Sequence, residues 1–449
     1  MFLYQCAPCC YSEVMTETKK LVRSSGIIFT GTIIGSFFSY LFNMLAGRLL
    51  GPEKYGEFTA LLSMMMILSV ASVAIMTVTM KYSSELVAKK YFKALHKLYD
   101  IFSRYTAIFA ISLIAITLAF VKPIGAFFSI SDIVPICITL LYFFFVFLLV
   151  VNRGILQGGQ KFFDSTANIT LEMFLKLLIG IALIKIGLGL SGAMLGMIIA
   201  TGIVYFLSLF PLKKLLETND DNKSEPFLFN KKEIVAFSVP VLICSALLMI
   251  ELYLDIVVVK HYFDAETAGL YAAISTTAKI ILFATSPIVS VMFPMISAKR
   301  TMGNKYYKLF FASTFATIAG ALIILGVYTF APSTILRVLY GTEFISLYSF
   351  LPKVGFFILL YSLVNLMANY YLAVKSYIFL YFFTFTLGLQ LILIGFNHGS
   401  LNSVVEILIA TTGLLVILLF GFYLISRIGQ IKAFLRGEYN KPIAAGIDN

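Results

Sequence analysis

Apolar runs of bilayer-crossing length recur along nearly the whole chain, separated by short polar stretches. A transmembrane helix needs about 20 predominantly apolar residues. The runs that reach this length predict twelve spans, near 25–47, 57–80, 102–121, 132–151, 166–185, 189–211, 234–259, 267–297, 308–330, 350–372, 377–396 and 402–425. Only Lys375 and Ser376 separate the eleventh span from the tenth. The longest hydrophilic stretch, Lys213 to Glu233, contains TNDDNKSEP and divides the chain almost in half, so it reads as a linker. The expected organisation is a tail over 1–20, a six-helix lobe over 21–212, a linker over 213–233, a second six-helix lobe over 234–426 and a tail over 427–449.

Composition agrees with this pattern. Of 449 residues, 60% are hydrophobic and 12% charged, against about a quarter charged in ordinary soluble domains. That excludes a soluble globular protein. Twelve spans consume roughly 240 positions and leave no room for a large soluble domain.

The formal charge of +12 would suit nucleic acid in a soluble protein. Here the positions of the basic residues give it another meaning. With a cytoplasmic N-terminus, 25 Lys and Arg fall on the inner side and 7 on the outer side, while Lys176 and Lys279 lie at membrane depth, which completes the 34. The positive-inside rule therefore predicts that both termini are cytoplasmic, and it absorbs most of the basic excess without nucleic acid.

The N-terminal segment shows no cationic stretch followed by an apolar run and a small-residue cleavage site, so the first span is expected to be retained. Met15 opens MTETKK and is a second plausible start, which would make the first fourteen residues an over-long gene start. Cys6, Cys9 and Cys10 crowd this tail, and Cys137 and Cys244 lie inside apolar runs. They suggest neither a disulfide framework nor a metal site.

The sequence also contains a repeat. GPEKYGEFTALL (51–62) aligns with DAETAGLYAAIS (264–275) at an offset of 213, matching Glu53 with Glu266, Gly56 with Gly269, Phe58 with Tyr271 and Ala60 with Ala273. A fainter match sets 152–156 against 369–373. Six spans return the chain to its starting side, so the halves form a parallel repeat. The fold class expected is an all-α polytopic membrane protein of two parallel six-helix repeats.

Three segments resemble a known family. They are Ala46-Gly47-Arg48-Leu49-Leu50-Gly51-Pro52-Glu53-Lys54-Tyr55-Gly56-Glu57-Phe58, then Arg153-Gly154-Ile155-Leu156-Gln157-Gly158, and the run from Asp255 through Ala268-Gly269-Leu270-Tyr271-Ala272-Ala273 to Phe293-Pro294. In order and spacing they are similar to the polysaccharide-transporter branch, the Wzx-like O-antigen and oligosaccharide flippases, of the multidrug/oligosaccharidyl-lipid/polysaccharide (MOP) exporter superfamily. The resemblance covers about residues 20 to 430. It implies two six-helix lobes around a central cavity in the inner, cytoplasmic membrane. It also implies translocation of a polyprenyl-diphosphate-linked oligosaccharide to the outer leaflet for cell-surface polysaccharide synthesis. Implied partners are the lipid-linked oligosaccharide, membrane lipid, an H+ or Na+ coupling ion and glycan-assembly proteins. Relatives that flip the peptidoglycan lipid usually carry two further helices, which this sequence lacks. The drug-exporting branch shares the fold, so a drug or small-solute cation antiporter is the alternative. A membrane-embedded glycan polymerase or ligase is the distant one, because the outward connections are short.

Charges at membrane depth are the candidates for function, since each costs roughly 2.5–3.5 kcal/mol at a helix centre unless partnered or wet. Glu172 and Lys176 stand at i and i+4 on one helix face and can neutralise each other. Lys176 is otherwise an anion site. Lys279 has no acid at helical spacing, so a diphosphate is expected to meet it, with a salt bridge to Asp255 or Glu251 as the alternative. Glu251 and Asp255, one turn apart, are the candidate ion-coupling pair; the competing reading makes them counter-ions to the lysines. Arg48 and Arg153 at span ends read as solvated anchors, with diphosphate contact as the second possibility. Glu406 and the histidines His96, His261 and His398 receive no role. Pro240, Pro287 and Pro294 interrupt backbone bonding and are the expected hinges. Gly31-x-x-x-Gly35 and Gly192-x-x-x-Gly196 indicate helix packing. There is no Walker loop, HExxH motif or serine or cysteine triad, so no catalytic residue, metal or cofactor is expected.

Overall fold

A computed structural model describes residues 7–130, 132–217, 231–301 and 306–435. All regular structure among them is helical, as a chain this apolar requires. Inside hydrocarbon each backbone N–H and C=O must be satisfied locally, and a helix does this within one segment.

The helices are α1 (Ala7–Leu68), α2 (Val70–Ala88), α3 (Phe92–Ala119), α4 (Val121–Phe127), α5 (Val134–Gly158), α6 (Phe162–Leu183), α7 (Gly189–Leu216), α8 (Lys231–Tyr262), α9 (Ala265–Ala278), α10 (Ile280–Thr301), α11 (Tyr307–Phe330), α12 (Pro332–Tyr340), α13 (Phe350–Ala373), α14 (Phe379–Phe396) and α15 (Leu401–Leu435). Among the described residues ten stretches are long and apolar enough to cross a membrane, not twelve. The difference has a physical origin. Thr30–Val87, 58 residues long, covers the first two expected spans, and Phe162–Leu216, 55 residues long, covers the fifth and sixth. A straight helix of 58 residues would measure about 87 Å, nearly three hydrocarbon cores of about 30 Å.

Both long runs are broken by glycine. Gly51 has φ 72°, and Pro52 follows it. A positive-φ glycine ends one helix and a proline at a first helical position starts the next, so α1 turns here with no intervening loop. Gly187, with φ 101°, lies in the π-helical turn Ile184–Leu188 between α6 and α7. Hydropathy identified the apolar runs, and the charged residues at these breaks, Arg48, Glu53 and Lys54 at the first and Lys185 at the second, mark turns between helices rather than loops.

Another boundary moves for a different reason. The expected span 267–297 is two helices, α9 and α10, and the break falls at Lys279 rather than at Pro287 or Pro294. The backbone keeps Lys279 N–H to Ser275 O and Phe283 N–H to Lys279 O, so the helical hydrogen bonding continues through this junction. Helix α8 runs unbroken through Pro240. Asp264 caps α9 by accepting the Thr267 N–H at 2.9 Å.

The chain divides into two compact units. The first comprises Met1–Leu50 with Ala71–Ser238, and the second Gly51–Val70 with Val239–Asn449. Residues 51–70, which the sequence places in the first lobe, thus pack with the second unit. In the first unit, α7 lies against α5 and α6, and Val78, Tyr82, Leu86, Leu95, Val151, Ile155 and Leu212 share one core. Gly31 receives Thr170 on its carbonyl at 3.2 Å, and Gly196 packs on the Gly180 backbone. The glycine motifs do serve helix contact. In the second unit α13 is the central helix, packed by α9, α10, α11 and α15.

Candidate functional site

Each unit buries charged side chains within its membrane-spanning helices. In the first unit they come from α5 and α6, with a hydroxyl, Thr201, from α7. Asn168, Glu172 and Lys176 follow one another at i, i+4 and i+8 along α6, and this spacing aligns them on one face. Glu172 Oε1 accepts from Lys176 Nζ at 2.7 Å and from Thr201 Oγ1 at 2.8 Å, and its Oε2 accepts from Arg153 Nη2 at 2.6 Å. Arg153 also donates from Nε to Asn168 Oδ1 at 2.7 Å, and Lys176 donates to Tyr142 Oη at 3.2 Å. The expected Glu172–Lys176 pair is thus present, but it is part of a larger network.

Arg153 departs from the solvated-anchor expectation. Its side chain is 12% exposed, and its guanidinium is committed to Glu172 and Asn168. Sequence position near a helix end did not reveal that α6 passes beside it with a carboxylate. Arg48 is exposed, as an anchor would be.

The second unit gathers Glu251 and Asp255 from α8, Lys279 from the α9–α10 junction, and Thr412 from α15. Lys279 Nζ lies 3.7 Å from Asp255 Oδ1, an ion-pair distance too long for a hydrogen bond. The salt-bridge alternative is therefore the one the side chains adopt. Neither Lys279 Nζ nor Asp255 Oδ1 has a hydrogen-bond partner among the described residues, though both are buried. The ammonium also stands over the Tyr253 ring, 4.5 Å from its centroid, a cation–π contact. Asp255 Oδ2 is well supplied, accepting Ser275 Oγ at 2.5 Å and Tyr271 Oη at 3.3 Å.

Glu251 and Asp255 do not share partners. Glu251 accepts Thr412 Oγ1 at 2.6 Å, beside Thr411, which donates to Gln390 at 2.7 Å. The two acids that the sequence grouped as one coupling pair thus occupy different hydrogen-bond surroundings. The hydroxyls of Ser275, Tyr271, Thr201 and Thr412 carried no signal in the sequence, where membrane helices hold many Ser and Thr. Pro240 lies in α8, which carries Glu251 and Asp255, and Pro287 lies in α10, which follows Lys279.

Away from the buried charges, Glu406 is exposed and accepts Asn402 at 2.6 Å. His96 pairs with Asp100 on the surface. His398 differs from a solvated residue, for its ring stacks on Tyr262 at 3.9 Å between centroids.

Comparison with known proteins supplies the context. A family profile described as "Polysaccharide biosynthesis protein" matches residues 21–299. No curated protein sequence matches the chain. Among solved structures, an inward-facing conformation of a multidrug resistance MATE family transporter of the MOP superfamily matches with TM-score 0.70 at 15% identity, over 89% of this chain and 99% of that one. An outward-facing conformation of a multidrug resistance MATE family transporter of the same superfamily matches with TM-score 0.62 at 16% identity, over 90% and 96%. At such identities the likeness establishes the fold, which is all-helical and MATE-like.

Proposed function

The chain belongs to the polysaccharide biosynthesis protein family, and from that premise we propose that it is a flippase. Its substrate would be a polyprenyl-diphosphate-linked oligosaccharide, carried from the cytoplasmic to the outer leaflet by alternating access. The protein would sit in the inner membrane with both termini cytoplasmic, as the basic residues favour, and would work beside glycan-assembly proteins.

The observation that carries this reading is Lys279, a buried ammonium within a membrane-spanning stretch whose counter-ion stands outside hydrogen-bond range. A diphosphate oxygen offers charge and short hydrogen bonds together. In this scheme the phosphate takes Lys279 from Asp255. The carboxylate left behind then takes up H+ or Na+, with Glu251 as the adjoining acid. Substrate entry and ion uptake would thus be exchanged at one side chain. Lys176 and Arg153, already committed to Glu172, hold one net positive charge in the first unit and are secondary phosphate contacts, and exposed Arg48 would meet the head group at the surface. Pro240, Pro287 and Pro294 remain the proposed bending points of α8 and α10.

A drug or small-solute cation antiporter is the second reading. The matched multidrug transporter structures favour it, as does the excess of acid over base around Asp255. Reconstitution separates the two. Proteoliposomes containing wild-type protein should flip labelled polyprenyl-diphosphate oligosaccharide, and Lys279→Ala should lose flipping while remaining inserted and monodisperse. Unchanged flipping in that variant removes the phosphate assignment. Ion-driven movement of a cationic dye without any flipping would select the antiporter.

A further inference from the structure

Helix α7 packs on α3, α5 and α6 and leaves a further face open. Phe206, Leu209, Phe210, Lys213, Lys214 and Glu217 line a groove there of about 730 Å³. Counting from Phe206, the ring of Phe210 follows at i+4, the two lysines at i+7 and i+8, and Glu217 at i+11, so one helix face carries them all.

The face changes character along its length. Phe206 and Phe210 are 59% and 74% exposed and lie within the membrane-crossing stretch, which ends at Leu216. Lys213 stands about 10 Å further along the helix axis than Phe206, so about two turns lead from rings at hydrocarbon depth to exposed ammonium groups at the level of lipid head groups. Lys213 Nζ lies 3.6 Å from Glu217 Oε1, but an exposed pair of this kind contributes little, and the lysine can turn to another anion. Leu95 and Leu98 of α3 share a core with Leu212 and Leu215, which brings the exposed Lys93 and Lys97 to the same end of the unit.

A groove with rings at one end and ammonium groups at the other fits an amphiphile with an anionic head. A free anion would make no use of the rings. The backbone does not help an anion here either, because α7 ends at this point and its last carbonyls carry the negative end of the helix dipole. The lysine side chains must therefore supply the attraction. A zwitterionic lipid has no net charge to gain from them.

We propose that this face of α7 is a binding site for an anionic phospholipid, with the phosphate on Lys213 and Lys214 and an acyl chain along Phe206 and Phe210. Basic grooves beside membrane-spanning helices recognise acidic head groups in this way, and the excess of basic residues at this end places the lipid in the cytoplasmic leaflet. The site lies wholly within the first unit and is independent of the substrate assigned above.

The sequence contains no Trp, so Phe210→Trp places a single fluorescent reporter in the groove. The full chain is reconstituted in phosphatidylcholine vesicles with brominated phosphatidylglycerol, a quencher, as the minor component. Quenching should exceed that expected from the lipid's mole fraction by about fivefold, the effect of the one net positive charge left by two lysines and Glu217. Adding Lys213→Gln and Lys214→Gln should bring it down to the mole fraction, the two Lys→Arg changes should keep the preference, and Glu217→Gln should raise it about fivefold further. Tyr381→Trp, an exposed position at the start of α14 in the second unit, controls for general attraction to the membrane surface and should follow the mole fraction. No preference at position 210, an equal preference at position 381, or a preference that survives loss of both lysines would overturn the proposal. So would relief of quenching by inorganic phosphate at matched ionic strength, which would mark a free-anion site, or by a small addition of polyprenyl diphosphate, which would make the groove part of the transport path.

Discussion

The two units solve the same problem, charge buried in membrane-spanning helices, in opposite ways. The first sets one carboxylate, Glu172, against two cations, Arg153 and Lys176, and every one of these charges is hydrogen-bonded. The second sets two carboxylates, Glu251 and Asp255, against one cation, Lys279, and leaves an ammonium and a carboxylate oxygen facing each other at 3.7 Å without a hydrogen bond. A saturated network fixes helices, because each displacement breaks several charge-assisted bonds at low dielectric. A half-satisfied pair can exchange partners at less cost. The contrast assigns structure to the first cluster and change to the second.

The largest expected effect tests that division at the two glutamates. Glu172→Gln keeps the shape but leaves two buried cations without a counter-charge, a loss of about 3–5 kcal/mol by analogy with broken buried ion pairs. Glu251→Gln keeps an oxygen to accept Thr412 and removes one excess negative charge, so its cost should stay within about 1 kcal/mol. Thermal unfolding of the two purified variants in detergent gives the comparison. Equal losses would mean that both clusters are structural.

How far the sequence anticipated this contrast follows from its spacing. The apolar runs, the repeat and the i, i+4 pair on α6 were legible because helical period and hydropathy are local properties. The partners brought from other helices were not. Arg153 read as a span-end anchor until α6 was seen to lay Glu172 beside it. Lys279 read as unpaired because Asp255 lies 24 positions earlier, on another helix. The joining of 25–47 to 57–80 escaped notice because a Gly-Pro step looks like a loop in sequence and forms a helix-to-helix turn in space. Lys260 stands at a span end, where a solvated side chain is the ordinary reading, and nothing in that position hints that it is buried.

A finer probe uses the threonine that each glutamate accepts from. Thr201 donates to Glu172 at 2.8 Å and Thr412 donates to Glu251 at 2.6 Å. Valine matches threonine in shape and removes the donor. Glu172 retains Arg153 and Lys176, so Thr201→Val should cost about 0.5–1 kcal/mol. Glu251 has no ion-pair partner among the described residues, so Thr412→Val strips it of a principal donor and should cost about 1–3 kcal/mol. If the order were reversed in chemical or thermal unfolding, hydrogen bonding would not be what distinguishes the clusters.

The smallest effect lies outside the membrane-spanning stretches, at the cap of the helix that serves Asp255. Asp264 accepts the Thr267 N–H at the start of α9, and this backbone hydrogen bond holds its carboxyl below the usual carboxylate range. With the folded pKa depressed, the stabilisation is complete above the unfolded value of about 3.9 and disappears as pH falls through the folded one. Asp264→Ala should therefore lose about 1 kcal/mol at neutral pH, typical of a helix cap, and nothing once the wild-type carboxyl is protonated. Because α9 also carries Tyr271 and Ser275, hydrogen exchange in its first turn should quicken about fivefold at neutral pH, while the amides of α6 around Glu172 keep their protection. Exchange that quickened equally in α6 would show that the two clusters are not independently held.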